Sequence, residues 1–309
     1  MKASLDVVFA TYAGLPHGDP DDRLALSLLE AKGLTVAVID WRTVPASQLD
    51  SRLVVLRSTW DYHHYCHQFL DWVDVVATRT VLRNEAPMIH WNAGKKYLLE
   101  LEQCGVPVAP TIYLEKSKAQ EMDASALAAT LTSAKLDGAA QIVVKPAVGL
   151  CTYGVKRFTL GQTSEEDICA HVKSLAATND VLIQPFLTAV ESYGERALVF
   201  LDNQFSHAVR KAPFQISAPA GQAGETSVTA DEVEIAFGQN VLSKLKLLTG
   251  FEPLFARVDV VRDVSGQMML MELELIEPSL FLAMGPGAPE RFAQAIVSVL
   301  DSIPALSRN

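Results

Sequence analysis

Two acidic stretches decide the fold: Arg257-Val258-Asp259 and Glu272-Leu273-Glu274, separated by Asp263-Val264-Ser265-Gly266-Gln267. The intervening residues are a hairpin turn signal between two strands. A turn centred between Ser265 and Gly266 sets Asp259 opposite Glu272 and Arg257 opposite Glu274. Side chains alternate along a strand, so these four share one face while Val258, Val260, Leu273 and Leu275 take the other. Opposed residues bring their Cβ atoms to roughly 4.5–5.5 Å. Carboxylates that close repel unless a proton or a cation sits between them. Three acids without histidine or cysteine favour a hard cation, magnesium above zinc, and magnesium held by few carboxylates completes its shell with substrate phosphates. By pattern alone, the same residues also suit a solvated face or a plain Arg257–Glu274 salt bridge.

Upstream lies Ile142-Val143-Val144-Lys145-Pro146-Ala147-Val148-Gly149-Leu150-Cys151-Thr152-Tyr153-Gly154-Val155. A strand delivers Lys145 at its end, and Gly149 and Gly154 bracket a loop before the next strand. Glycines let backbone N–H groups approach an anion, and the lysine adds a point charge. The loop is not a Walker A loop, because Val155 and Lys156 stand where Lys-Ser/Thr should follow. Taken alone it reads as a hairpin turn with a surface lysine.

The surrounding chain supplies an α/β frame (α+β overall). Leu5–Ala10, Leu34–Trp41 and Leu53–Leu56 read as strands, with a helix opened by Asp19-Pro20-Asp21-Asp22 and stopped at Gly33. Their β-α-β order predicts a small parallel sheet with functional residues at strand carboxyl ends, where Arg57–Tyr62 follows. Further on, Lys95–Cys104, Glu121–Leu136 and Glu165–Ala177 read as helices, and Val181–Phe186 as a strand. Ala197–Leu201 and Phe205–Arg210 form a hairpin over Asp202-Asn203. Pro213–Ser227 reads as a long loop, and Thr229-Ala230-Asp231-Glu232 as a capping box. The divisions expected are 1–90 for the parallel-sheet domain, 91–186 for the glycine-loop unit, and 187–309 for the unit with the acidic strands.

The 309 residues carry 26 Lys+Arg against 36 Asp+Glu, a formal net charge of −10. That balance disfavours a general nucleic-acid binder but leaves room for a local anion pocket. Cys66, Cys104, Cys151 and Cys169 are scattered and suggest neither a zinc ribbon nor a disulfide framework. Asp6 interrupts any signal-peptide core, and no stretch approaches the ~20 apolar residues of a membrane helix. A cytoplasmic protein without membrane or nucleic-acid partners is expected; a homodimer stays open. His63, His64, Cys66 and His67 form a ligand-like run, read as a helix start in preference to a soft-metal site.

The two sites occur together, in this order and spacing, and there the chain resembles the ATP-grasp ligases over nearly its full length. A first lysine before a helix and a G-V-P-x-x-P-T segment matches Lys95 and Gly105–Thr111. The second lysine and the glycine loop match Lys145 and Gly149–Gly154. The resemblance implies an adenine hinge at Gln184-Pro185-Phe186-Leu187, a ribose-binding acid at Glu191 and a phosphate-binding lysine at Lys211, with Arg210 as its alternative. It also implies a catalytic Arg257 and magnesium ligands Asp259, Glu272 and Glu274, with manganese as the alternative ion. The D-alanine–D-alanine ligase type often has asparagine where Glu274 stands. Arg57–Tyr62, Trp91-Asn92 and Glu274–Leu280 are similar to the subgroup containing O-ureido-D-serine cyclo-ligase; the glutathione synthetase and ribosomal-protein-modifying groups look more distant.

The activity implied is ATP-driven carboxylate–amine ligation on a small amino-acid-like substrate through an acyl phosphate, with ring closure as one form. Lys95, Lys145 and Lys211 would hold phosphates, and Arg257 would stabilise the transferring group. Substrate contacts are assigned to Arg57, Asp61 and Ser279: an arginine for a carboxylate, an acid for an amine, and a hydroxyl near the acidic strands. The loops Gly149–Gly154 and Pro213–Ser227 would act as lids. The rivals are a phosphotransferase on the same fold and a non-catalytic nucleotide binder.

Overall fold

The computed structural model describes residues 5–150, 153–211, 224–263 and 265–303. Three sheets follow one another along the chain. The first holds β1 (Leu5–Thr11), β2 (Val36–Asp40), β3 (Ser51–Ser58) and β4 (Val81–Arg83) in the parallel order β2-β1-β3-β4. α1 (Asp22–Ala31) buries Ala25, Leu26 and Leu29, and α2 (Cys66–Arg79) buries Phe69, Trp72, Val73 and Val76. Asp21 does not cap its own helix. Its carboxylate instead accepts the N–H groups of Leu282 and Ala283 at 2.6 and 2.8 Å, tying the α1 start to a distant turn.

After α3 (Ala86–Asn92) and α4 (Tyr97–Gln103) comes the second, antiparallel sheet. It contains β5 (Ile112–Leu114), β6 (Gln141–Pro146), β7 (Lys156–Thr159) and β8 (Val181–Pro185), ordered β5-β8-β6-β7. The helix expected over Glu121–Leu136 is broken into α5 (Lys116–Glu121), α6 (Ala124–Leu131) and a 3-10 turn at Ala134–Leu136. Met122 is extended, and Asp123 starts α6 anew by accepting the Ala126 N–H at 2.7 Å. α7 (Glu165–Ala176) closes this layer, packing Ile168, Val172 and Leu175 on Ile142, Val144 and Ile183.

α8 (Ala189–Ser192) leads into the third sheet: β9 (Arg196–Leu201), β10 (Gln204–Arg210), β11 (Thr226–Val228), β12 (Phe255–Arg262) and β13 (Met268–Glu274). Their antiparallel order is β11-β10-β9-β12-β13. The loop expected at Pro213–Ser227 thus ends in a strand, since Thr226 and Ser227 pair with Arg210 and Val209; residues 212–223 lie outside the described part. The capping box of α9 (Glu232–Thr249) is Asp231 with Glu234, not the tetrad starting at Thr229, because Asp231 accepts the Glu234 N–H.

The first and third sheets share a core. α10 (Ala288–Ser302) inserts Phe292 and Ile296 among Val7, Phe9 and Leu53 of the first and Val199, Leu201 and Phe255 of the third. Asn84, fully buried, fastens the same junction: its Nδ2 donates to Phe255 O at 3.0 Å and Leu275 O at 2.7 Å, and its Oδ1 accepts from Leu254 N at 2.7 Å. Asn84→Ala strands three main-chain groups, so chemical denaturation should show a loss of about 2–4 kcal/mol. An unchanged denaturation midpoint would contradict the clamp.

Candidate active site

The hairpin register is the expected one where it matters. Arg257 pairs with Glu274 and Asp259 with Glu272; only beyond Asp259 does a bulge shift the ladder, so that Val260 faces Leu270. The outer edge of β13 is sealed rather than open. Asn92 Nδ2 donates to Leu273 O at 2.8 Å and its Oδ1 accepts from Leu275 N at 3.0 Å, while the Tyr97 hydroxyl accepts from Leu273 N at 3.0 Å. Pro107 and Ala109 continue the seal with bonds to Leu270. With its backbone satisfied on both sides, β13 holds Glu272 and Glu274 at fixed heights.

Those acids face a cleft of about 250 Å³, also lined by Lys95, Lys145, Lys211 and Arg257. Lys95 arrives from the chain just before α4, its N–H bonded to Ala147 O at 3.0 Å. Its Nζ lies 2.9 Å from Glu272 Oε1 and donates to Gly149 O at 3.0 Å. Lys211 Nζ bridges Glu195 and Asp259 at 2.8 and 2.9 Å. Arg210 turns away and donates to the carbonyls of Ser192 and Tyr193, so between the two it is Lys211 that faces the cleft. Arg257 grips Asp259 through Nε at 2.9 Å and Nη2 at 3.0 Å, and also pairs with Glu274.

Lys145 differs from the other cations: among the described residues its ammonium has no hydrogen-bond or ion-pair partner. Burial, together with Lys95 and Lys211, pulls its pKa down despite the pull of Glu272. Lys95 and Lys211 move the other way; burial opposes their charge, but Glu272 and Asp259 respectively outweigh it. Asp259, fully buried, and Glu272 are held below the usual carboxylate range, because Arg257 and Lys211 for the one, and Lys95 and Lys145 for the other, overcome desolvation. Arg257 spends two bonds on Asp259, which leaves Glu274 short of charge. Burial, with Asp259 and Glu272 adding, pushes Glu274 up to about 7. Glu277 goes well above the ordinary range through burial and the Glu274 charge.

Among the described residues no three acid, imidazole or thiol groups converge as they stand. Cations hold the carboxylates apart: Lys95 on Glu272, Arg257 on Glu274, and both Arg257 and Lys211 on Asp259. The donors nevertheless fit a divalent ion, since they are all oxygen and Glu274 lacks a full positive counterpart. The unpartnered Lys145 fits the polyphosphate such an ion accompanies.

The glycine loop needs both glycines. Gly154 has φ +67°, and a Cβ there would meet Leu175 Cδ2 at 2.8 Å; a Cβ on Gly149 would meet Pro146 Cγ at 3.0 Å. Cys151 and Thr152 lie outside the described residues. Tyr153 lays its ring 5.1 and 5.0 Å from those of His63 and His64, so the histidine run meets the loop by ring contact.

Other expected residues fall elsewhere. Arg57 is 2 % exposed and does not line the cleft. It pairs with Asp22 at 2.8 Å, donates to Pro278 O at 3.0 Å and stacks over Phe255, so it supports the segment behind the site instead of meeting substrate. Asp61 is also off the cleft, accepting from Trp41 Nε1 at 2.7 Å. Ser279 does line it, and its carbonyl accepts from Arg257 at 3.2 Å. The residues expected as a hinge start at the end of β8, whose Leu182 pairs with Lys145. Gln184 is buried with its Nε2 on Thr111 Oγ1, and the Phe186 N–H is already given to Gln141 O. Phe186 lies under the Arg157 guanidinium at 3.6 Å, and Arg157 also pairs with Glu191 at 3.1 Å. None of Gln184, Phe186, Leu187 and Glu191 lines this cleft. Arg157, Asn92, Tyr97 and Glu195 carry no sequence signal for these contacts; Glu277 lies within the Glu274–Leu280 stretch, where nothing in the sequence sets it apart.

A parallel sheet is thus joined to two antiparallel ones, with lysines and strand-borne acids lining one cleft. Residues 7–84 match the family described as D-cycloserine synthetase DcsG, N-terminal domain. The cycloserine biosynthesis protein DcsG of Streptomyces lavendulae is 33% identical over 287 residues, 88% of this chain and 92% of that protein. The crystal structure of D-cycloserine synthetase DcsG superposes with a TM-score of 0.83 at 30% identity, covering 95% of this chain and 99% of that one. D-alanyl-alanine synthetase A from Vibrio cholerae shares the fold at a TM-score of 0.64 and 14% identity, over 97% of this chain and 100% of that one. So does PsnB, an ATP-grasp ligase solved with a minimal precursor, Mg and ADP, at 0.62 and 16%, over 96% and 99%. The chain belongs to the ATP-grasp ligases, in the branch of D-cycloserine synthetase, and is an ATP-dependent enzyme that forms C–N bonds. No described helix is long and apolar enough to cross a membrane.

Proposed function

We propose that the cleft activates a carboxylate of a small amino-acid-like substrate as an acyl phosphate, and that a nitrogen then displaces phosphate to give an amide. The observation carrying this is Lys145, a half-buried ammonium without a hydrogen-bond or ion-pair partner among the described residues, in a cleft that also holds Lys95, Lys211 and Arg257. An ammonium facing the cleft without a counter-ion of its own suits a polyphosphate. Asp259, Glu272 and Glu274 would hold magnesium, or manganese as an equally oxygen-seeking ion. When bound, the ion supplies neutralising charge at the phosphate oxygens.

The chain's own residues do the rest. Lys95 and Lys145 grip the phosphates from two sides of the glycine loop, and Lys211 sets its charge against Asp259 until the nucleotide arrives. Arg257 stabilises charge on the transferring group. Gly149–Gly154 and Pro213–Ser227, both partly outside the described residues, would keep water from the activated carboxyl. Gln184, Phe186, Leu187 and Glu191 would take adenine and ribose, which requires Arg157 to release Glu191. Residues 1–90, 91–186 and 187–309 would form three units around the cleft, each carrying one sheet, with the first and third joined through the core that α10 fills. Ring closure within one molecule is favoured over joining two, because the relative with 33% identity is named for cycloserine biosynthesis.

Incubation with ATP, magnesium chloride, hydroxylamine and a panel of amino acids tests the chemistry. Hydroxamate should form in step with ADP. A stable phosphate ester would favour a phosphotransferase instead, and nucleotide binding without ADP release would leave only a binding protein.

A further inference from the structure

Glu277 has no task in nucleotide handling. It is 6 % exposed and lines the cleft, yet its carboxylate makes no hydrogen bond or ion pair among the described residues. The other buried acids are partnered: Asp22 by Arg57, Asp259 by Arg257 and Lys211, and Glu234 by the Asp231 N–H. Lys95, whose charge reaches Glu277, is already bonded to Glu272 and Gly149.

Its main chain is nevertheless pinned. Trp60 Nε1 donates to Glu277 O at 3.0 Å, Arg57 to Pro278 O at 3.0 Å, and Arg257 to Ser279 O at 3.2 Å. Three successive carbonyls held by three side chains fix where the carboxyl sits. Burying an unpartnered carboxyl costs free energy, and such a group is expected where a ligand completes it. The Trp60 and Tyr62 rings also line the cleft, and aromatic faces favour cations.

We propose that Glu277 receives the free ammonium group of an amino-acid substrate, beside the carboxylate that the ATP chemistry activates. This rests on the ligase reading of the same cleft and narrows its substrates to amino acids with an unblocked amine. A site built to bond a substrate N–H rejects analogues lacking it strongly.

The test compares free amino acids of both hands with their N-acetyl and des-amino counterparts, using the full chain with ATP, magnesium chloride and hydroxylamine. The unaltered protein should form hydroxamate from a free amino acid about 10²-fold better than from its blocked form. Glu277→Gln should raise the KM for that amino acid by a similar factor and leave the KM for ATP within about twofold. An unchanged amino-acid KM in the variant would overturn the proposal. So would equal use of N-acetyl acids by the unaltered chain, or activation of no amino acid in the panel. Should Glu277→Gln not fold, the comparison of blocked and free acids decides alone. Binding of a fluorescent ADP to the unaltered chain is measured in parallel: its absence, or activation of no acid in the panel, would strike the ligase reading as well, whereas an unchanged amino-acid KM in the variant or equal use of N-acetyl acids leaves that reading standing.

Discussion

Lys145→Ala should lower ATP-dependent hydroxamate formation by about 10²–10³-fold, the range seen when one preorganised charge is removed from a transition state. Its melting temperature should stay close to that of the unaltered protein. The two expectations have one cause. Among the described residues Lys145 has no hydrogen-bond or ion-pair partner to lose, and burial works against its charge, with the pull of Glu272 and Glu195 set against Lys95 and Lys211. Truncation therefore breaks no ion pair, and relief of the desolvated charge offsets the packing lost with its methylenes, leaving stability within about 1 kcal/mol. The polyphosphate loses a cation that nothing else on β6 replaces. Lys95 cannot move across, since it is tied to Glu272 and Gly149. Parallel measurement of turnover and thermal denaturation checks this. Near-normal turnover would remove Lys145 from the site, and a collapse in stability would mean its part is structural.

How far the sequence could be read depends on whether a residue's task is local. The β12–β13 hairpin was legible because a turn signal and alternation fix pairing within some twenty residues, and Arg257, Asp259, Glu272 and Glu274 fall in the expected register. The bulge beyond Asp259 was not, since Val260 stays buried through it and the apolar pattern carries no mark of the shift. Helix and strand positions around Lys95 and Lys145 follow from periodicity and glycine placement in the same way.

Arg57 and Asp61 show the opposite case. Arg57 lies near the carboxyl end of β3 and Asp61 just beyond it, where functional side chains gather, and their charge suggests substrate contacts. Their actual partners, Asp22 and Pro278 for Arg57 and Trp41 for Asp61, come from distant parts of the chain. Asn84 and Asn92 are similar: an asparagine that completes the hydrogen bonds of a far strand looks no different in sequence from a surface one. Glu277 stood inside a noted stretch, but only burial without a partner sets it apart, and burial is a property of the assembled fold.

Glu272→Gln tests the acidic strands themselves. The substitution keeps size and hydrogen-bonding capacity but removes one negative charge from the face that Asp259 and Glu274 share. Binding of a divalent ion to oxygen donors weakens when one ligand loses its charge. The magnesium concentration needed for half-maximal turnover should therefore rise at least tenfold, with turnover at modest magnesium down by about 10²-fold. The effect on Lys95 has a definite sign. Glu272 is the chief carboxylate raising the Lys95 pKa against burial, so its loss lowers that pKa and loosens the lysine from its 2.9 Å contact. Metal-free nucleotide binding should change little, because a freed Lys95 can turn to the phosphates. A magnesium titration of turnover beside a nucleotide titration in chelator separates the two effects. An unchanged magnesium midpoint would show that Glu272 serves only as a salt-bridge partner for Lys95, and the divalent ion would then have to be held without it.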